Sequence, residues 1–194
     1  DEFGAYLDTL GAAGFYQNGP DMGVKVCLEG TTPQTDRMLQ QLKSVQAKAF
    51  EAEMKRLRAG ALKKTVHIQW FHVANRFRPM GVKMIGVFCD AVKNTEHIDP
   101  GRYLAGFQII PNEIPGFGPI PLNDVKISMR VSTRLEDEIR AQRALALNIL
   151  LPEATNKLGG FSDACHSLTA ATTVAIGKEE QLIAEMEKIL SKVE

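Results

Sequence analysis

The chain has 194 residues, 44% of them hydrophobic and 24% charged, with 23 basic against 23 acidic side chains. That is enough chain for one sizeable core or two small lobes, and the balance excludes a histone-like basic protein and an acidic disordered tail. The apolar runs fall far short of a membrane span, no signal peptide opens the chain, and three dispersed cysteines (Cys27, Cys89, Cys165) build no disulfide framework, so a reducing cytoplasm is the expected setting.

The first residues, Asp1-Glu-Phe-Gly, lack an initiator Met and read as a start in mid-sequence. Residues 5–32 are punctuated by Gly11, Gly14, Gly19, Pro20, Gly23 and Gly30, which predicts turns and at most one helical piece around Met22–Leu28. Met38, Leu42, Val45 and Ala49 then recur at the helical period, continued by Phe50, Met54 and Leu57. Thr32 is the expected cap, Pro33 the first helical residue and Gly60 the stop. Such a helix spans roughly 37 Å at 1.5 Å per residue and reads as a bridge between two lobes.

After Gly60 the period changes. Val66, Ile68 and Trp70 alternate with Thr65, His67 and Gln69, the pattern of a strand with its polar side outward. Arg76–Pro79 reads as a loop and the apolar run Met84–Val92 as a buried helix. Tyr103–Ile110 reads as a strand ended by Pro111, and the Pro- and Gly-rich stretch 115–121 as a rigid connection. Val125, Ile127, Met129 and Val131 alternate with Lys126, Ser128, Arg130 and Ser132, a half-buried strand. Leu135–Leu151 reads as one helix interrupted at Pro152, Gly159-Gly160 as the end of a second piece, and Leu168–Val174 as a strand. Leu182, Ile183, Met186, Ile189, Leu190 and Val193 phase a final helix. The expected fold is α/β, with a mixed sheet flanked by helices from about residue 61 onward and a long helix before it.

Metal and nucleophile motifs are absent from the sequence: there is no Cys-x-x-Cys, His-Glu-x-x-His, Gly-x-Ser-x-Gly, phosphate-binding loop or dinucleotide fingerprint. His67 reads as a surface residue of a strand. Cys165 and His166 are adjacent, so on an extended segment they point apart and make no nucleophile pair. Two segments stand out. Lys126, Ser128, Arg130 and Ser132 would share one strand face, and two cations with two hydroxyls suit phosphate oxygens, although a plain solvent-facing strand has the same pattern. Gly159 to Thr172 is rich in small residues that let a backbone approach a ligand, with His166 as a donor, although a helix cap and turn also needs glycine.

Taken together these segments resemble the DHHA1 domain of the DHH superfamily of phosphoesterases, which includes the RecJ-type single-strand exonucleases. Lys126, Ser128 and Arg130 match a Lys-Gly-Ser-x-Arg strand, with Ile127 at the glycine. His166, Ala170 and Ala171 match a Gly-Gly-His loop followed by Ala-Ala-Gly. There Ala164, Cys165 and Thr172 replace glycines, and one extra residue separates His166 from Ala170. Met80–Val92 resembles the first DHHA1 helix, and Met22–Gly30 with the long helix resembles the connector from the catalytic domain. The bulky replacements are most similar to archaeal RecJ-like proteins of the Hef-associated and GINS-associated groups.

The resemblance implies the substrate-binding part of a nuclease of DNA repair or replication. It divides the chain into the end of a catalytic or connector region (1–33), a connector helix (34–60) and a DHHA1-like domain (61–194). Lys126, Ser128, Arg130, Gly159, Gly160 and His166 would grip single-stranded nucleic acid, DNA rather than RNA, with Lys63, Lys64, Arg76, Arg78 and Lys83 extending a basic path. Phe161 or Phe71 would stack a base, whereas Trp70 shares the apolar phase of Ile68 and fits the core. The Mn²⁺ or Mg²⁺ of the family belongs to an Asp-His-His domain, and no Asp-His-His occurs here, so this chain alone is expected to be inactive. Other expectations from the resemblance are a helicase or replication-factor peptide as partner, a homo-oligomer, and cyclic dinucleotides or short oligonucleotides as alternative substrates.

Overall fold

The structure, a computed structural model, describes residues 2–192. Three helices come first: α1 (Glu2–Ala12), α2 (Gly19–Glu29) and α3 (Pro33–Arg56). The α/β part follows as β1 (Lys63–Lys64), β2 (Ile68–His72), α4 (Met84–Val92), β3 (Tyr103–Ile109), β4 (Glu113–Ile114), β5 (Gly118–Pro119), β6 (Asp124–Arg130), α5 (Thr133–Arg140), α6 (Leu147–Lys157), β7 (Phe161–Cys165), β8 (Thr169–Ala175) and α7 (Glu179–Leu190). Six strands form one mixed sheet in the order β1-β2-β3-β6-β8-β7, while β4 and β5 pair as a separate hairpin. Only β2 and β3 run parallel, joined by the crossover that carries α4; the other pairs are antiparallel.

The sheet is covered differently on its two faces. Ile68, Trp70, Phe107, Val125, Ile127, Met129, Ala170 and Val174 point to one face and pack against α5, α6 and α7. Phe71 and Leu104 point to the other, where α4 and the N-terminal helices build a second core around Phe77, Met84, Ile85 and Phe88. Period-2 alternation sorts each strand between these cores. The long helix begins as expected: Thr32 accepts from the Thr35 amide, Thr35 returns the bond to the Thr32 amide, and Pro33 occupies the first turn. It ends in a π turn at residues 57–61, where Gly60 adopts φ +99°.

Several expectations are corrected. The N-terminal segment holds two helices instead of at most one: Gly14 and Gly30 do lie at turns, while Gly11 and Gly23 sit inside α1 and α2. Gly14 and Gly19 let α1 and α2 meet closely, since a Cβ on Gly19 would lie 2.1 Å from the Leu10 carbonyl oxygen. The β2 pattern is not half-exposed: Gln69 is fully buried, and its amide bonds the Asp99 and Arg102 carbonyls and the Asp99 N–H. His67 is held by Glu187 of α7, Nδ1 to Oε2 at 2.6 Å, rather than standing in solvent. The single helix read over Leu135–Leu151 is two, parted by residues 141–146 where Gln142 takes φ +59°, and Pro152 sits inside α6 instead of ending it. Ser132 leaves the polar row to cap α5, accepting from the Leu135 amide and donating to the Pro100 carbonyl. Residues read as a small-residue loop include the edge strand β7. Val193, assigned to the last helix, lies outside the described residues. No helix among the described residues is long and apolar enough to cross a membrane.

Candidate nucleic-acid interface

Lys126, Ser128 and Arg130 alternate on β6 with Val125, Ile127 and Met129, so they point away from the α5–α7 core. Register places Lys126 opposite Thr173, Ser128 opposite Ala171 and Arg130 opposite Thr169 on β8. On β8 the intervening Ala170, Thr172 and Val174 are buried, Thr172 accepting a bond from Thr155 of α6 at 2.8 Å. Thr169, Ala171 and Thr173 therefore lie on the same face as the β6 row and are half-exposed. Phe161 of β7 pairs with Thr173, level with Lys126, and its ring is 69% exposed. The face is covered by α4 over β3 and β6 and continues open across β8 and β7.

The row is charge-matched. Arg130 Nε donates to Asp90 Oδ2 of α4 at 2.7 Å, and its Nη1 donates to Ser128 Oγ and to the Met129 carbonyl, each at 2.9 Å. Room for this guanidinium comes from Gly86, one turn before Asp90, where a Cβ would stand 2.9 Å from Arg130 Nη2 and 3.0 Å from Ser128 Oγ. Lys126 Nζ meets Asp163 Oδ2 of β7 at 2.7 Å. Ser128 is 2% exposed and committed to Arg130, so it positions the arginine rather than meeting a ligand. Beneath it Cys89 donates from Sγ to the Ser128 carbonyl at 3.7 Å, and burial pushes that thiol up to about 12, which leaves it a protonated packing group. Gln108, opposite Lys126 on β3, is buried with an Oε1 that has no partner among the described residues.

His166 and the glycine pair lie at opposite ends of β7. His166 follows the strand, its amide donating to the Thr169 carbonyl at 2.7 Å, which sets it near the Arg130 end of the row. Its exposed imidazole has no hydrogen-bond partner among the described residues. Cys165 turns its Sγ to the Ala171 carbonyl at 3.5 Å, and burial raises its thiol pKa, so the adjacent Cys and His form no couple. Gly159 and Gly160 close α6: their amides donate to the Asn156 and Thr155 carbonyls, both at 3.1 Å. These amides are spent on a helix cap, and the glycines answer a φ of +68° at Gly159 and a Cβ that would meet Thr173 O at 2.4 Å at Gly160. The expected anion contact by this backbone is corrected accordingly.

The remaining cations do not continue the row. Lys63 and Lys64 sit on β1, at the far edge of the sheet from β7. Lys63 lies 4.3 Å over the Trp70 ring and pairs with Glu180 of α7, which puts it beside the opposite face. Arg76 forks onto Glu53 of α3 at 2.8 and 2.9 Å. Lys83, just before α4, pairs with Asp8 of α1 at 2.8 Å. Arg78 is exposed in the 74–79 turn region near Tyr16; burial holds the Tyr16 hydroxyl above its usual range, with the Glu113 charge adding to that shift and the Arg78 charge opposing it. Of the aromatic candidates, Phe71 and Trp70 are buried and Phe161 alone is open. Asp90, Asp163 and Gly86 were not legible as partners, although Gly86 and Asp90 share a helix face at i, i+4.

No family model matches the sequence, and comparison with curated proteins finds no match. Solved structures are similar in fold. Cdc45 from Entamoeba histolytica aligns with a TM-score of 0.52 at 8% identity, covering 90% of this chain and 33% of that one. The DHH domain of a protein described as a member of a ribosomal-protein family aligns at 0.48 and 15% identity, covering 81% and 33%. The pGpG-specific phosphodiesterase PggH from Vibrio cholerae aligns at 0.47 and 10% identity, covering 97% and 56%. The chain thus spans about a third of the first two and little more than half of the third. With its six-stranded mixed sheet and flanking helices, the chain has an α/β fold that it shares with Cdc45.

Proposed function

We propose that this chain is the substrate-binding part of a RecJ-like, metal-dependent single-strand nuclease of DNA repair or replication, and that it holds the sugar–phosphate backbone along the β6 row. In this reading residues 1–33 and the helix of 34–60 connect a DHH catalytic domain to the binding domain of 61–194. The observation that carries the reading is the open face itself: Lys126 and Arg130 on β6, Thr169 and Thr173 beside them on β8, Phe161 level with Lys126 and His166 near Arg130. Cations and hydroxyls there meet phosphates, and an exposed ring gives a base a stacking surface. The orphan Oε1 of Gln108, cross-strand from Lys126, is an enclosed acceptor that a buried water would satisfy. Zero net charge is compatible, because binding responds to the local arrangement of charges.

The Mn²⁺ or Mg²⁺ of such nucleases is assigned no site among the described residues. No three His, Cys, Asp or Glu side chains cluster to hold a metal among the described residues, and two-metal hydrolysis needs a carboxylate-rich cage. No hydrolytic step is therefore assigned to these residues. Their task is to neutralise, orient and hold the strand.

The test is titration of the chain with a fluorescent thymidine homo-oligonucleotide, followed by anisotropy. The double variant Lys126→Gln, Arg130→Gln should weaken binding at least about tenfold, since each charge-assisted contact to phosphate is worth about 1.5–3 kcal/mol before the lost internal pair is subtracted. Unchanged affinity in a variant with an unaltered melting curve would contradict the reading. Tighter binding of a cyclic dinucleotide than of the oligonucleotide would favour the phosphodiesterase alternative. Loss of a helicase or replication-factor peptide with oligonucleotide binding intact would favour docking.

A further inference from the structure

Both cations of the row already hold an anion. We propose that Asp163 and Asp90 are built-in surrogates for two substrate phosphates, so that the face takes ligands carrying at least two separated phosphates and binds them by exchange; this rests on the phosphate-grip reading above. Lys126 Nζ meets the Asp163 carboxylate at 2.7 Å and Arg130 Nε meets the Asp90 carboxylate at 2.7 Å. Those are the donor–oxygen distances of a charge-assisted bond to phosphate as well. The two carboxylates come from opposite flanks, Asp163 from β7 and Asp90 from α4, so the cations are drawn apart rather than focused on one point. Lys126 and Arg130 are four residues apart on one strand, roughly 13 Å between Cα atoms at 3.3 Å per residue. One inorganic phosphate engages one cation; a polynucleotide backbone engages both.

Exchange is open to both carboxylates. Asp163 is 47% exposed and Asp90 45% exposed, so each returns to water when its partner leaves. Asp90 also keeps Lys93, the residue that caps the end of α4, at 3.2 Å. The cations are far less exposed, Lys126 at 19% and Arg130 at 14%, so they stay on the face while the anion changes. Exchanging a carboxylate for a phosphate oxygen is therefore close to balanced at each cation, and a backbone that engages both cations at once outcompetes a lone phosphate that engages one.

Exchange leaves a signature in salt dependence. A cation that neutralises a phosphate of a single strand releases counterions, with a slope of about −0.7 per contact in log K against log salt. Where the cation must first leave a carboxylate, that carboxylate draws cations back and salt also weakens the pair being broken, so the slope is shallower. Asp163→Asn and Asp90→Asn remove the competitor from two different elements while keeping side-chain shape. Each is expected to bind the thymidine oligonucleotide up to about fivefold tighter at low salt, the equivalent of about 1 kcal/mol, and to steepen the slope toward the full value. A competition arm with inorganic phosphate should leave the oligonucleotide bound at matched phosphate concentration. If Lys126→Gln weakens binding but neither Asp variant tightens it or steepens the slope, the surrogate proposal falls and the grip stands. If Lys126→Gln changes nothing, the grip itself falls. A carboxylate that only props the fold would lower the melting temperature on replacement and leave the slope where it was.

Discussion

Phe88→Ala should destabilise the protein by about 3–5 kcal/mol, the range for emptying a fully buried phenylalanine site. Phe88 on α4 is 0% exposed and its ring meets those of Phe50 at 4.9 Å, Phe71 at 5.5 Å and Phe77 at 5.5 Å. Phe50 belongs to α3, Phe71 to β2, and Phe77 to the turn before α4. One side chain therefore joins the long helix to the sheet. The apolar stripe read along that helix includes Phe50, and the aromatic cluster fastens this part of the stripe into a common core with α4. Urea unfolding followed by circular dichroism reads the loss as a lower midpoint with an unchanged slope. A loss under about 1 kcal/mol would mean that α3 does not pack on Phe88, since surface-like sites cost no more.

Arg76→Ala should cost about 2–3 kcal/mol of stability, after allowance for the partial exposure of the arginine, while leaving oligonucleotide affinity unchanged. Glu53 of α3 is 2% exposed, and Arg76 supplies two bonds to it, with a third to the His72 carbonyl at 2.6 Å. Removing the cation strands a buried carboxylate, with Arg56 at 3.8 Å as the remaining partner. Replacing both residues, Glu53→Met with Arg76→Met, should recover most of the loss, because a buried pair exchanged for apolar groups of similar volume is often neutral. Thermal melts of the single and double variants decide this, and the anisotropy titration separates it from binding. Loss of affinity in a stable Arg76→Ala protein would return Arg76 to the basic path.

What the sequence made legible follows from where a pattern had one physical cause. The α3 helix carries a period of apolar residues, a threonine cap and a terminal glycine, all pointing to the same bounds. The apolar run Met84–Val92 and the alternation of Val125, Ile127 and Met129 were equally plain. Where a residue type serves two purposes, the pattern misled. Gly11 and Gly23 signal turns in one dimension but lie inside helices, and Gly14 and Gly19, at the joint of α1 and α2, also allow the two to meet closely. Ser132 continues the strand alternation by spacing and caps a helix instead. Gln69 and His67 look outward because a period-2 polar residue normally faces water, whereas β2 lies between two cores and their polar atoms are met by distant chain, Asp99 and Glu187.

The site was legible as a strand and a bend, and not as a balance of charge. Lys126 and Arg130 announce themselves by spacing. Their partners Asp163 and Asp90 lie 37 and 40 residues away, and nothing local to an isolated aspartate reveals a cation across a sheet. Gly159 and Gly160 drew attention as a small-residue cradle, and geometry assigns them to a helix cap. Of the three aromatic candidates read from the sequence, Trp70, Phe71 and Phe161, only Phe161 is exposed.

The most direct measurement is a ¹⁵N-labelled titration of the chain with the thymidine oligonucleotide, reading amide shifts residue by residue. The account predicts perturbation along Lys126, Phe161, Asp163, His166 and Thr169–Thr173, with Lys63, Lys64 and Arg76 unmoved. Shifts centred on β1 and the α7 flank, or none at concentrations where anisotropy reports binding, would contradict it.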